Sequence, residues 1–488
     1  MFLTDKIGFP GILPESGESG TSMESMTNDH TQKVLSAVDE AFDASVEELK
    51  SLVRIPSVAF GGFDPAKLDE SASAVKALME STGVFDSVRI ERVPVAPGSE
   101  EFGQPAIIAR REAAPGKPTV LLYAHHDVQP WGDEALWKTP PFEPTVIGDR
   151  LYGRGASDDK AGVMTHVAAL RVLQQIAPDS GLGIALFIEG EEEYGSRSFA
   201  NFLETHKETL RSDVIVVADS DNWSTTVPSL TVSLRGNVKF GLTVTTLDHA
   251  NHSGMYGGAV ADAPLAAIRL LNTFWDENGS SAVEGLLSAE HTAPDQDEQQ
   301  VRDEAGVPEG VSLIGSGRVL DRLWNDPAIT VVGTSLPDVQ NASNTILPTA
   351  TFVVSARIAP GQSSADALAA LERHVEKHTP FGAKAEITNV ELGDPFLVDT
   401  TGPAVRAMKE SMADAWGNEA VEAGIGGSIP FISLLEQEFP NAEILVTGVE
   451  DPGTMAHSPN ESQHLGVLRN AIASEALLLT RLATGGLG

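Results

Sequence analysis

Apolar residues recur at helical spacing over the first well-patterned stretch of the chain. Val34, Leu35, Val38, Phe42, Val46, Leu49 and Val53 share one face, and Pro56 halts the pattern, which predicts a helix from about Val34 to Ile55. A second helix opens at Pro65, a residue suited to a first helical position, and closes at Gly83. Beyond it, short apolar runs alternate with helical patterns. TVLLYA (119–124), GIALFIEG (183–190) and DVIVVADSD (213–221) read as strands, separated by helices over 160–176 and 198–210. This alternation predicts an α/β fold, a mostly parallel sheet with flanking helices.

Near residue 228 the texture changes. SLTVSLRG and NVKFGLTVTT read as amphipathic strands, and a helix follows from Pro264 to Trp275. Residues 279–312 are acidic and loop-like. TATFVVSARI (349–358) reads as a strand, Ala365 to His378 as a helix and AKAEITNVEL as a strand. Strands pairing with two helices predict a small α+β domain over 228–398, inserted into a larger domain formed by 31–227 and 399–488. The α/β texture returns with a helix at 402–415, the strand AEILVTGV (442–449) and a closing helix at 465–483. Residues 1–30, rich in Gly, Ser, Pro and acids, read as a disordered tail, or as an upstream extension if translation starts at Met23 or Met26.

Composition narrows the function. A chain of 488 residues exceeds what one hydrophobic core supports, in keeping with two domains. The formal net charge of −36 repels phosphate backbones and anionic lipid, which argues against nucleic-acid and membrane-surface partners. No apolar run approaches the ~18–20 residues that span a bilayer. The N-terminus has no basic region leading into an apolar core and fails as a signal peptide, so the expected compartment is the cytoplasm. With Cys at 0, disulfides, thiolate nucleophiles and Cys-ligated zinc are excluded, and any metal must be held by His, Asp and Glu.

Those residue types gather at strand exits. In TVLLYAHHDVQP, His125 and Asp127 point the same way at the carboxyl end of a strand, while His126 faces the other way. Open α/β sheets place their ligands at that end, and Asp127 is spaced to accept the second N–H of a metal-bound imidazole. LYGRGASDDKAG (151–162) lacks both the dinucleotide and the phosphate-loop signatures, and offers Asp158 and Asp159 at a helix start, where acids also serve as caps. FIEGEEEYGS (187–196) sets three glutamates directly after a buried strand, which is costly without a cation nearby. Asp219 and Asp221 follow the strand in VVADSDNW, and His457 lies in the loop GTMAHSPNE (453–461). Five such clusters make the inventory of a carboxylate-bridged dinuclear hydrolase.

The ordered set LLYAHHDVQP, LYGRGASDDKAG, EGEEEYGS, DSDNW, HSGMYGG, ARIAPG, GGSIPF and MAHSPNE resembles the dinuclear-metal dipeptidases. That family includes carnosinases and cytosolic non-specific dipeptidases and is related to aminoacylases, carboxypeptidase G and succinyl-diaminopimelate desuccinylase. The likeness runs from Leu49 to the C-terminus. It implies a zinc-peptidase-like catalytic domain, an inserted lid and dimerisation domain, and two divalent metal ions per subunit, Zn2+ in the first instance, with Mn2+ or Co2+ as alternatives. Carried over by position, His125 and Asp221 hold one metal, Glu193 and His457 the other, and Asp158 bridges both, with Asp219 a competitor for the place of Asp221. Asp127 orients His125. The family pattern Glu-Glu-x-Gly-Ser sets Glu192 as general base and leaves Glu191 an extra acid. Ala161 stands where the family has Gly, a change expected to adjust packing and not to remove the site.

The same resemblance gives substrate contacts. His252 matches a histidine that polarises the scissile carbonyl from the partner subunit of a homodimer formed through the inserted domain. Arg357 matches an arginine that clamps the substrate's carboxylate, a task suited to its planar fork. Ser428 and Thr345 match further carboxylate contacts. The implied activity is hydrolysis of dipeptides with a free C-terminal carboxylate through a water shared by the two metals. The alternative is an N-acyl-amino-acid amidohydrolase using the same metals.

Overall fold

The strand Thr119–His125 is buried along its whole length, and its side chains alternate between two cores. Val120, Leu122 and Ala124 face one layer of helices, Leu121 and Tyr123 the other. A strand buried on both faces needs a covered sheet, and the computed structural model provides one. It describes residues 20–290, 293–426 and 430–485, with side chains from residue 29 onward and without that of Pro430.

The central sheet runs in the order Val88–Glu91, Ala106–Arg111, Gly183–Glu189, Thr119–His125, Val214–Ala218, Glu443–Thr447, Ser229–Leu234 and Phe396–Leu397, and Val421–Ile425 also pairs with Ser229–Leu234. Its centre, from Gly183–Glu189 to Glu443–Thr447, is parallel. The first two strands and Phe396–Leu397 join antiparallel. The sheet is therefore mixed, with the expected parallel arrangement in the four strands whose carboxyl ends coincide and again between Ser229–Leu234 and Val421–Ile425. Helices Gly20–Val53, Ala66–Ser81, Lys160–Ile176, Pro403–Trp416 and Leu465–Gly485 cover one face. Phe199–Leu210 and Pro430–Glu438 cover the other, with Tyr123, Phe187, Phe199, Phe202 and Phe431 forming an aromatic core.

The first helix begins at Gly20, earlier than its apolar stripe required, and residues 1–19 of the expected tail lie outside the described residues. The inserted unit is an antiparallel sheet in the order Ala328–Thr334, Thr349–Ile358, Gly236–Thr245 and Lys384–Gly393, with helices Ala263–Leu271 and Ser364–His378 packed on one face. Its chain order is β-α-β-β-α-β. Ser229–Leu234, read from sequence as part of this unit, instead pairs in the central sheet, so the chain crosses between the two sheets at Arg235. Within 279–312, Glu298–Glu304 forms a short helix. Among the described residues no helix is long and apolar enough to cross a membrane.

Candidate active site

The carboxyl ends of the four parallel strands converge, and each is followed by a polar segment. His125 is the last residue of its strand and fully buried. Its Nε2 lies 3.1 Å from Asp158 Oδ1 and 3.9 Å from Asp219 Oδ1. Its Nδ1 faces Asp127, 3.1 Å from the main-chain oxygen and 3.4 Å from Oδ1. Asp158 Oδ2 in turn lies 3.0 Å from His457 Nε2, which is 3.1 Å from Glu193 Oε2. The ligand atoms of His125, Asp158 and Asp219 all fall within 4.8 Å of one another, and so do those of Asp158, Glu193 and His457. Two groups thus share one carboxylate.

Each member is fixed by a partner of its own. Asp127 accepts hydrogen bonds from the backbone N–H of Glu192 and of Glu193, both 3.1 Å, so one carboxylate orients the imidazole and pins the turn that carries the two glutamates. Glu193 accepts from the N–H and the side-chain amide of Gln129, at 3.1 and 2.7 Å. Asp159 caps the helix Lys160–Ile176 through Gly162 N–H and also accepts from His125 N–H. A Cβ on Gly162 would stand 2.3 Å from Ala218 O, so this glycine, next to the buried Ala161, permits the close approach. The loop bearing His457 has left-handed backbone at Met455, His457 and Asn460 (φ 57°, 59° and 70°), strain of a kind found at functional sites.

The electrostatics call for cations. Burial pushes the Glu192 carboxyl well above its ordinary value; His125 opposes this, while the Asp219, Glu193 and Asp127 charges reinforce it. Burial raises Glu193 to about 7 and Asp219 to about 6. Hydrogen bonds to Asp158 and Glu193 lift His457 to about 10. Burial alone would lower His125, yet Asp127 and Asp158 hold it well above the usual imidazole range. Carboxylates this crowded and dehydrated hold protons when no metal neutralises them, and two divalent cations would do so. The donor set of two imidazoles and three carboxylates fits such ions.

Asp221 belongs to neither group. It forms a backbone bridge with Glu450; burial raises its carboxyl to about 6, the Asp451 and Asp158 charges add to the rise, and a side-chain hydrogen bond with Glu450 opposes it. The residue grouped with His125 and Asp158 is Asp219, the first residue beyond Val214–Ala218. His126 turns to the opposite face, between Ser71 Oγ at 3.1 Å and Pro105 O at 2.8 Å, and burial lowers it to about 4. Glu191 is buried and accepts from the N–H and hydroxyl of Ser198. Its place is structural.

On the inserted unit, His252 and Thr345 are cross-strand partners in a two-stranded ribbon. Both are exposed, and His252 Nδ1 accepts from Gly254 N–H at 3.0 Å, leaving Nε2 outward. His252 stands outside both groups of its own chain. Arg357 lies near the end of Thr349–Ile358, and burial lowers its pKa. Ser428 lies outside the described residues.

Residues 121–481 match the family described as Peptidase family M20/M25/M40. The chain belongs to this family. Its relatives include a cysteinylglycine-S-conjugate dipeptidase of Corynebacterium striatum, 35% identical over 84% of this chain and 90% of that one. The human Beta-Ala-His dipeptidase is 26% identical over 88% of each chain. Among solved structures, human carnosine dipeptidase 1 superposes with a TM-score of 0.73 at 23% identity, covering 93% of this chain and 98% of that one, a likeness of fold.

Sequence reasoning missed two residues that shape the site of this M20 peptidase. Glu461 is fully buried and accepts from Arg154 Nη1 at 2.6 Å and from the N–H groups of Gly155, Ser157 and Asp158, each at 3.1 Å. It ties the loop of Asp158 to the loop of His457. Arg235 sits at the crossover between sheets, donating to Gly426 O at 3.1 Å and Asp326 O at 3.2 Å, and burial and the Arg357 charge lower it to about 10. An arginine closing the strand SLTVSL was the available signal. Its partners, nearly 100 and 200 residues away, were not.

Proposed function

We propose that this M20 peptidase is a dinuclear-metal dipeptidase acting on dipeptides with a free C-terminal carboxylate, glycine-terminated ones among them. One cation would be held by His125 and Asp219, the other by Glu193 and His457, with Asp158 shared; Zn2+ is the proposed ion, with Mn2+ and Co2+ accommodated by the same donors. The observation that carries the reading is the Asp158 carboxylate standing between two imidazoles, at 3.1 and 3.0 Å, with Glu192 Oε2 4.0 Å from His125. The relatives' dipeptidase activities support the peptide substrate over an acyl amide.

When bound, the two cations supply positive charge that polarises the scissile carbonyl and acidifies the attacking water. Glu192, held by its own N–H to Asp127, takes the proton of that water and returns it to the departing amine. A carboxyl raised by burial is matched to that double duty. Arg357, whose charge also presses on Arg235, provides the cationic surface for the substrate's carboxylate, with Thr345 and Ser428 as further contacts. His252, exposed and outside its own chain's groups, would serve the site of a second copy. Leu265 and Ile268, 46% and 57% exposed on the helix Ala263–Leu271, support a homodimer through the inserted unit. The compartment proposed is the cytoplasm.

The test is hydrolysis of Cys-Gly, Ala-Gly, carnosine and N-acetyl-methionine after chelation and re-addition of zinc or manganese, with Glu192→Ala alongside. Metal-dependent cleavage of dipeptides that disappears in the variant is the expected result. Cleavage of the acetylated substrate alone would overturn the dipeptidase reading.

A further inference from the structure

Beside the metal-ligand groups lies a cavity of about 340 Å³ that the proposed reaction leaves unused. Its floor is the edge of the central sheet at Ser229, Thr231 and Ala423–Gly426, and its roof is the helix Val319–Trp324 from the inserted unit. Trp223 and Trp324 meet edge to face with ring centres 6.3 Å apart, and Leu320, Leu323 and Ile425 complete an apolar wall. Leu323 is 39% exposed, as an apolar side chain facing an open cavity must be. The far rim is polar, from the helix Glu298–Glu304.

Asp221 closes the end nearest the metal-ligand groups. It follows Asp219 by two residues and is open to solvent; the charges acting on it, Asp451 and Asp158, are both acidic, and Glu450 is hydrogen-bonded beside it. The turn that carries it is rigid. Asn222 beside it is buried and donates to Gly448 O at 2.9 Å and Glu450 O at 3.0 Å, while its own side-chain oxygen accepts from Ser229 N–H. A fixed carboxylate among other acids at the mouth of an aromatic pocket selects a small cation carrying an apolar substituent. The N-terminal residue of a dipeptide is such a group: an α-ammonium on the carbon that bears the side chain.

The geometry points to Asp221 as the residue that binds the substrate's α-ammonium, and to the Trp223–Trp324 cavity as the subsite for a bulky apolar N-terminal side chain. This rests on the dipeptidase reading. The volume lies at the lower end of small-molecule pockets, ~300–1,000 Å³, enough for one large side chain. An N-acylated substrate lacks the cation and forms no ion pair with Asp221, so the same residue selects dipeptides over acyl amides.

The test compares Phe-Gly with Ala-Gly as substrates of the zinc-loaded enzyme, and Phe-Gly with 3-phenylpropionyl-glycine, its analogue without the amine, as ligands. Leu323→Trp fills the cavity and is expected to lower the ratio of kcat/KM for Phe-Gly over Ala-Gly at least tenfold, whereas Leu323→Ala, at the same half-open position, should not lower it. Asp221→Asn is expected to raise KM for Phe-Gly at least tenfold and to abolish the preference for Phe-Gly over the analogue. Both comparisons are repeated by calorimetric titration on a Glu192→Gln background, which reads binding without turnover. Hydrolysis of dipeptides with both ratios unchanged in the variants overturns this assignment and leaves the dipeptidase reading standing. Binding of Phe-Gly that depends on Leu323 and Asp221, with no dipeptide hydrolysed by the parent enzyme, does the reverse.

Discussion

Replacing Glu461 by glutamine tests how the two metal-ligand loops are held together. The carboxylate is fully buried and accepts four hydrogen bonds, one from Arg154 and three from backbone N–H groups. A glutamine keeps one acceptor oxygen, for Ser157 and Asp158, and turns an N–H2 toward Gly155 N–H and Arg154. Arg154, only 1% exposed, is then left with long contacts to Ser458 O at 3.3 Å and Pro130 O at 3.5 Å. Breaking a buried ion pair costs about 3–5 kcal/mol, and an orphaned buried N–H adds about 1–3 kcal/mol, so Glu461→Gln should lose about 4–8 kcal/mol. That rivals the whole stability of a domain, ~5–15 kcal/mol. Arg154→Met should cost less, because Glu461 keeps its three backbone donors. Urea unfolding of metal-free protein, with Glu461→Gln, Arg154→Met and parent in parallel, measures both. A loss below about 2 kcal/mol for Glu461→Gln, or the opposite ranking, would refute this account.

Three further outcomes are expected from the geometry. Asp219→Asn should cut the metal content of zinc-loaded, dialysed protein from two ions to one, while Asp221→Asn keeps both; the reverse pattern would assign the ligand role to Asp221. Glu192→Gln should lower kcat about 10²–10⁴-fold with both metals retained, as metal analysis beside kinetics will show. His126 is held neutral, at about 4 against an ordinary 6.5, so its contribution is whole above pH 6.5 and is lost as pH falls through the window toward 4, where the unfolded chain binds the proton first. The drop in stability of metal-free protein from pH 7 to pH 4 should therefore shrink by about 3 kcal/mol in His126→Asn.

Much of the fold was legible because strand-forming runs end in acids and imidazoles. Continuous apolar strands such as TVLLYA require burial on both faces, which places the polar residues after them at a sheet end, and there the structure brings His125, Asp158, Glu193 and His457 together. The choice between Asp219 and Asp221 was not local. Asp219 joins the group of His125 and Asp158, while Asp221 bridges to Glu450, more than 200 residues away, a pairing set by the tertiary fold. SLTVSL alternates polar and apolar positions like a half-exposed strand, yet all six residues are buried, with the Thr231 hydroxyl 2.7 Å from that of Ser220 and the Ser229 hydroxyl donating to Asp221 O at 2.6 Å. Arg154, Glu461 and Arg235 carried no pattern because their meaning lies in partners set by the tertiary fold.

The seating of Glu443–Thr447 beside Val214–Ala218 has a consequence for biosynthesis. His125, Asp158, Glu193 and Asp219 all leave the ribosome early, followed by a long insertion with a core of its own. The strand that completes the parallel centre, and His457 and Glu461 behind it, come last. Until they arrive, Asp158 has neither its contact with His457 at 3.0 Å nor the Glu461 carboxylate that accepts from its N–H at 3.1 Å. The long-range closure of the sheet thus belongs to the end of synthesis, a late step of high sequence separation.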